Sequence, residues 1–116
     1  LAVSLLLFSS SCYYDELPPE EEIQISPDDE ISFAETVLPI IASYNCATCH
    51  NGSQDPDLRA NNAYDALVPD YVTAGDAENS VFFQRVPGKS HPPVGFSLTD
   101  NEITIIEEWI NRGALE

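Results

Sequence analysis

Methionine is absent from this 116-residue chain, which carries only four Lys or Arg, two His and three Cys. Each scarcity excludes something. Without Met, no thioether sulfur can serve as a metal ligand. The four bases (Arg59, Arg85, Lys89 and Arg112) face 20 Asp and Glu, leaving a formal net charge of -16. Such a polyanion lacks the electrostatic footprint that DNA, RNA and acidic lipid surfaces need. Nucleic-acid binding is excluded, and a macromolecular partner is expected to present basic surface. An odd cysteine count does not make a disulfide framework. Strand-like sequence is nearly missing, since Asp70-Tyr71-Val72-Thr73 is the single β-like stretch and has no partner. A chain of this length is expected to hold one domain.

Residues 1–8 (LAVSLLLF) are apolar apart from Ser4. As a helix this segment would rise about 12 Å, short of the roughly 20 residues a bilayer span needs. With Ser9-Ser10-Ser11-Cys12 behind it, residues 1–11 read as part of an export signal. Small residues before a Cys resemble the lipobox of bacterial lipoproteins, which makes Cys12 the expected lipidation site and implies an outer-membrane anchor. A plain signal peptide that leaves Cys12 free is the alternative. Residues 12–30 form a tether: from Tyr13 to Glu30 there are eight acids, three prolines and no base. Like charges and proline oppose collapse there.

The remaining segment, 31–116, is expected to be the folded domain, all-α with three to four helices and long loops. Ser32-Phe33-Ala34-Glu35 is a capping box that starts a helix at Phe33. Phe33, Val37, Ile40, Ile41 and Tyr44 continue it as an apolar stripe of helical period. Pro39 should kink this helix, which is expected to run straight into Cys46. Asn62 to Asp65 should cap a short helix over Tyr64–Val68 that Pro69 ends. A second short helix is expected from Asp76, closed by Pro87-Gly88. Thr99-Asp100-Asn101-Glu102 is a second capping box, and Ile103, Ile106 and Ile110 hold one face of the last helix, with Gly113 just past its end. Loops as long as Asn51–Asn61 and Pro87–Thr99 leave a thin protein-only core, so something besides polypeptide is expected to fill the middle.

Cys46-Ala47-Thr48-Cys49-His50 is a CxxCH, the attachment signature of a c-type haem. Two thiols three positions apart on one turn can reach the two vinyl groups of a porphyrin and form thioethers. The histidine that follows is then carried under the ring, where its imidazole can bind iron. Three other readings use the same residues. A thioredoxin-like CxxC needs a βαβ frame. A structural zinc site could draw on Cys46, Cys49, His50 and His91, although adjacent Cys49 and His50 are poorly placed for two tetrahedral corners. Cys46 and Cys49 could also form a simple disulfide.

From Phe33 to Gly113 the chain resembles a small single-haem class I cytochrome c, of the type found in exported proteins and lipoproteins of Bacteroidetes and Planctomycetes. The resemblance rests on Cys46–His50, on Gly75-Asp76-Ala77-Glu78-Asn79-Ser80, on Pro92-Pro93-Val94-Gly95 and on Glu108-Trp109-Ile110-Asn111-Arg112-Gly113. It implies a cytochrome c-like fold in which an N-terminal helix crosses a C-terminal one, one covalent haem c, and His50 as proximal ligand. The family usually presents a distal Met before Pro-Pro, and here that position is His91. His91 is therefore the expected sixth ligand, with an open or water-bound distal face as the alternative. Phe82, Phe83, Val94, Phe96, Leu98, Ile106 and Trp109 are expected to line the pocket, ordinary core packing being the other role open to each. Arg59, Arg85 and Lys89 are candidates for the haem propionates.

The function implied is one-electron transfer by a membrane-tethered cytochrome, not an enzyme, with a redox partner that presents a basic docking surface. Two alternatives differ in class. One is peroxidase-like or gas-binding chemistry at an open distal site. The other is a structural lipoprotein whose haem-bearing copies self-associate.

Overall fold

The computed structural model describes residues 24–116. The export segment, Cys12 and most of the acidic tether lie outside these residues. The described chain is all-α with four α-helices: α1 (Leu38–Ser43), α2 (Ala63–Leu67), α3 (Val81–Arg85) and α4 (Asp100–Asn111). A π-helical turn, Phe33–Val37, leads into α1, and a 3-10 turn, Cys46–Thr48, follows it. Among the described residues the only β-pairing is an isolated bridge between Ser32 and Leu115, and Asp70–Thr73 forms no strand.

The Thr99 capping box forms in full, and the Ser32 one in its serine half only. Ser32 Oγ accepts the Glu35 N–H at 3.2 Å. Thr99 Oγ1 accepts the Glu102 N–H at 3.2 Å, and Glu102 Oε2 accepts the Thr99 N–H at 2.9 Å. Pro39 does not simply kink the first helix. The segment before it is wound as a π-turn, in which Leu38 N–H bonds Phe33 O, and regular α-helix begins at Leu38 with Pro39 in its first turn. Pro39 has no N–H to donate, and a first-turn position needs none.

Two other expected elements are displaced. α1 does not run into Cys46: it ends at Ser43, and Asn45 adopts a left-handed φ of 53° that turns the chain before the 3-10 turn. The helix expected from Asp76 starts at Val81 instead, with Ser80 in the N-cap position. Asp76 is occupied in a tight turn, where its carboxylate accepts from the Asn79 N–H and side-chain amide. The Ser80 hydroxyl donates to Asp76 O at 2.7 Å, and the Ala77 N–H reaches Asn111 Oδ1 at 2.9 Å, so this backbone is spent on turns and on α4. The second helix runs Ala63–Leu67, one residue ahead of the expected span.

The π-turn and α4 form the centre of the core. Phe33 lies between Tyr64 and Trp109, with ring centroids 5.6 and 5.2 Å away. Leu115 O accepts both the Phe33 N–H and Trp109 Nε1–H at 2.8 Å, and Tyr64 Oη donates to Ala114 O at 2.8 Å. Val37, Leu67, Val72, Ile106, Trp109 and Ile110 are fully buried, and each aliphatic side chain among them contributes about 1.5–3 kcal/mol relative to exposure. At the opposite end of α4, Tyr44 Oη donates to Glu102 Oε2 at 2.7 Å. The first and last helical segments therefore pack along each other in opposite directions, clamped at both ends.

Candidate functional site

Between these elements lies a cavity of about 420 Å³, within the range that binds small molecules and cofactors. Its walls are mainly apolar. Ile40 and Ile41 come from α1 and Tyr44 from the residue after it, Phe82 and Val86 from α3 and the residue after it, Leu98 from the loop before α4, and Ile106 from α4. Cys46, Cys49, His50 and His91 all line it as well. The topology thus brings together every residue expected to hold the haem covalently or through iron.

The CxxCH sits on the 3-10 turn. Cys49 N–H bonds Cys46 O, and so does His50 N–H at 3.0 Å, which places both sulfurs and the imidazole along one tight turn. Both thiols are free. Burial pushes the Cys46 thiol above its ordinary pKa. His50 is half-buried, and its ring faces the Pro56 carbonyl with Nδ1 3.0 Å from the oxygen. A carbonyl can only accept, so Nδ1 carries the proton and Nε2 is left as the nitrogen able to bind a metal. A backbone carbonyl bonded in this way fixes tautomer and ring orientation in metal-ligating histidines. Leu58 N–H bonds His50 O at 2.8 Å and folds the same loop back over the histidine.

His91 belongs to the Pro-rich segment before α4. Ser90, just ahead of it, is anchored twice to Gln84 O, through its N–H at 3.2 Å and its hydroxyl at 2.6 Å. Leu98 N–H bonds Pro87 O at 2.9 Å and closes the loop. Gly88 takes φ 101° at this closure, where a Cβ would lie 3.3 Å from Ser97 Cβ. His91 Nδ1 faces Pro92 O at 2.7 Å, again leaving Nε2 available. The His50 and His91 ring centroids are 6.3 Å apart, with planes inclined at 66°. Two imidazole–metal bonds of about 2.0–2.1 Å, plus about 1.1 Å from each nitrogen to its ring centre, give nearly this separation. Two imidazoles on opposite sides of one iron fit the spacing.

Other features fit a haem. Val81, Val94 and Phe96 line the cavity and remain 43%, 41% and 38% exposed, forming an apolar rim that a flat hydrophobic ligand would cover. Phe96 stacks on Tyr44 at 5.0 Å between ring centroids. Arg85 also lines the cavity and makes no ion pair among the described residues, so it is the base best placed for a propionate.

The remaining candidates do not reach the cavity. Trp109 is fully buried against Phe33, with its indole N–H spent on Leu115 O. It is a core residue, not part of the cavity wall. Phe83 turns away from the cavity and carries Lys89 Nζ 3.7 Å above its ring, which also removes Lys89 from the propionate candidates. Arg59 pairs with Asp57 at 2.7 Å. Pro56, whose carbonyl orients His50, was not anticipated from the sequence. Its signal was the loop-forming run after His50, which marks a turn but not which carbonyl meets the ring.

The competing readings of the CxxC lack their frames. Among the described residues no β-strand precedes it, as a thioredoxin-like site requires. Among the described residues no three or more His, Cys, Asp or Glu side chains converge to hold an ion, as a tetrahedral zinc site requires. Haem iron asks the protein for only two ligands, because the porphyrin supplies the rest. No helix of the described residues is long and apolar enough to cross a membrane. No protein-family model, curated protein or solved structure matches this chain.

Proposed function

We propose that this chain is a c-type cytochrome that carries one electron at a time on a single covalent haem. Cys46 and Cys49 would hold the porphyrin as thioethers, and His50 and His91 would supply the protein's two ligands to its iron. The observation that carries this reading is the approach of the two histidine rings, with centroids 6.3 Å apart, at the wall of an apolar cavity that also bears both thiols. Haem bound there supplies a one-electron ferric/ferrous couple, whose potential depends on axial ligands, hydrogen bonding and burial.

The chain's own residues set the conditions. Pro56 O holds the proton on His50 Nδ1, and Pro92 O does the same for His91. Ile40, Ile41, Leu58, Val86, Leu98 and Ile106 keep water away from the ring. Arg85 at the rim offers a positive charge to a propionate. A bis-imidazole set favours ferric iron more than a His/Met set does, so the potential is expected to lie below that of a methionine-ligated analogue. The same reading includes the cytochrome c-like fold, export, and anchoring through a lipid on Cys12, since covalent haem attachment of this kind takes place outside the cytoplasm. With a net charge of -16 the redox partner is expected to dock through basic surface.

The test is the absorption spectrum of the protein exported from cells that attach haem c, oxidised, reduced and as its alkaline pyridine complex. The bands of a low-spin haem with two thioethers are expected. A colourless folded protein would refute the proposal. Rapid binding of carbon monoxide or cyanide without displacement of a ligand would favour an open-site enzyme.

A further inference from the structure

The loop after His50 carries a polar cluster that the cavity does not use. Asp57 is the residue after Pro56, and its carboxylate gathers bonds from four donors, with Arg59 Nε shared between both oxygens. Oδ2 accepts from Arg59 Nη2 at 2.7 Å and Asn62 Nδ2 at 2.9 Å, while Oδ1 accepts from Arg59 Nε at 3.0 Å and the Arg59 N–H at 3.1 Å. The guanidinium also lies against the start of the same loop. Gly52 has φ 97°, and a Cβ there would meet Arg59 Nη2 at 2.9 Å. One side chain therefore bridges both ends of the 52–57 loop.

Two bonds to His50 depend on this loop's shape: Pro56 O on Nδ1 and Leu58 N–H on the His50 carbonyl. Asp57 sits between the residues that make them. Its side chain is 18% exposed and that of Arg59 is 54% exposed. An exposed ion pair adds little to stability, so stability alone does not account for four donors converging on one carboxylate.

We propose that Asp57, clamped by Arg59 and Asn62, is the positioning residue that holds the Pro56 carbonyl on His50 Nδ1, and so sets how strongly His50 donates to the iron. This rests on the haem reading above. A carbonyl on Nδ1–H makes the opposite nitrogen more basic, which stabilises ferric iron and lowers the potential. Loosening the clamp lets the carbonyl drift, weakens that donation and raises the potential.

The decisive variant is Arg59→Gln in the haem-loaded protein, because two explanations predict opposite signs. Loss of a positive charge acting only through space would favour ferric iron and lower the potential. Loss of the clamp raises it. The expected result is a shift of about tenfold toward ferrous iron, or about 59 mV for one electron. The His50 Nδ1–H proton, followed by NMR in the reduced protein, is expected to exchange faster with solvent in the same variant. Asn62→Ala, which changes no charge, is expected to move both readouts the same way and less far. An unchanged or lowered potential in Arg59→Gln, with unchanged exchange, would overturn the proposal. The wild-type spectrum separates the two levels: without haem in the wild type the functional reading fails, whereas normal haem with insensitive variants defeats only the clamp.

Discussion

Tyr44→Phe tests whether the first helix and α4 are held together where they meet the cavity. The Tyr44 hydroxyl donates to Glu102 Oε2 at 2.7 Å, and the same oxygen accepts the Thr99 N–H at 2.9 Å. One carboxylate thus closes the cap of α4 and ties it to the first helix. Hydrogen bonds to charged groups are worth about 1.5–3 kcal/mol net when buried. Both residues here are half-buried, so a value just below that range applies, about 1–1.5 kcal/mol. For a domain of this size each kcal/mol moves the midpoint by about 4–8 °C, which gives a fall of about 4–12 °C. The assay is thermal unfolding of the haem-loaded protein by circular dichroism, with Thr99→Ala and the double variant alongside. Thr99→Ala alone should cost about 0.5–2 kcal/mol. Because both variants act on Glu102, Tyr44→Phe at its carboxylate and Thr99→Ala at its backbone N–H, the double variant is expected to depart from additivity. A midpoint within 1 °C of wild type for Tyr44→Phe, or strict additivity in the cycle, would refute the reasoning.

Replacing both Cys46 and Cys49 by Ala is expected to remove covalent haem and most of the helical signal, because apolar rim and wall residues lose the ligand that stabilises the native state; a cooperative unfolding transition in the haem-free variant would contradict this. Asp57 should stay ionised in mild acid, since its bonds to Arg59 and Asn62 hold the carboxyl well below the usual carboxylate range. Its folded value being lowered, its contribution is fully present above the unfolded value of about 3.9 and is lost only as pH falls through the lower folded value. Carbon-13 NMR titration of Asp57 checks this, and a midpoint near 3.9 would contradict it. Electron transfer with a basic partner should slow steeply as salt rises, because steering is screened over about 8–10 Å near physiological ionic strength; a salt-independent rate would rule that docking mode out.

What could be read in advance followed local chemistry. Both helix starts were legible because Ser32 with Glu35 and Thr99 with Glu102 satisfy each helix's first donors from within four residues. Cys46, Cys49, His50 and His91 were expected together, and all four line one cavity, as do five of the seven apolar residues expected there. What failed depended on contacts distant in sequence. Trp109 and Ile106 stand on the same helix, but only Ile106 faces the cavity, because Phe33 and the Leu115 carbonyl claim the indole. Asp76 looked like an N-cap until its turn was tied to Asn79 and Ala77 to Asn111. Arg59 and Lys89 looked available to propionates, but Asp57 and the Phe83 ring hold them elsewhere. The Pro56 carbonyl carries no side-chain signature at all, so its place on His50 emerges only from the folded loop.

The central claim is that His50 and His91 bind one iron from opposite faces. Low-temperature EPR of the oxidised protein, wild type beside His91→Ala, tests it most directly. A low-spin ferric signal is expected from the wild type. His91→Ala should become high-spin or water-ligated, with the low-spin signal restored by added imidazole. The same high-spin signal from both proteins would remove His91 from the iron and contradict the account.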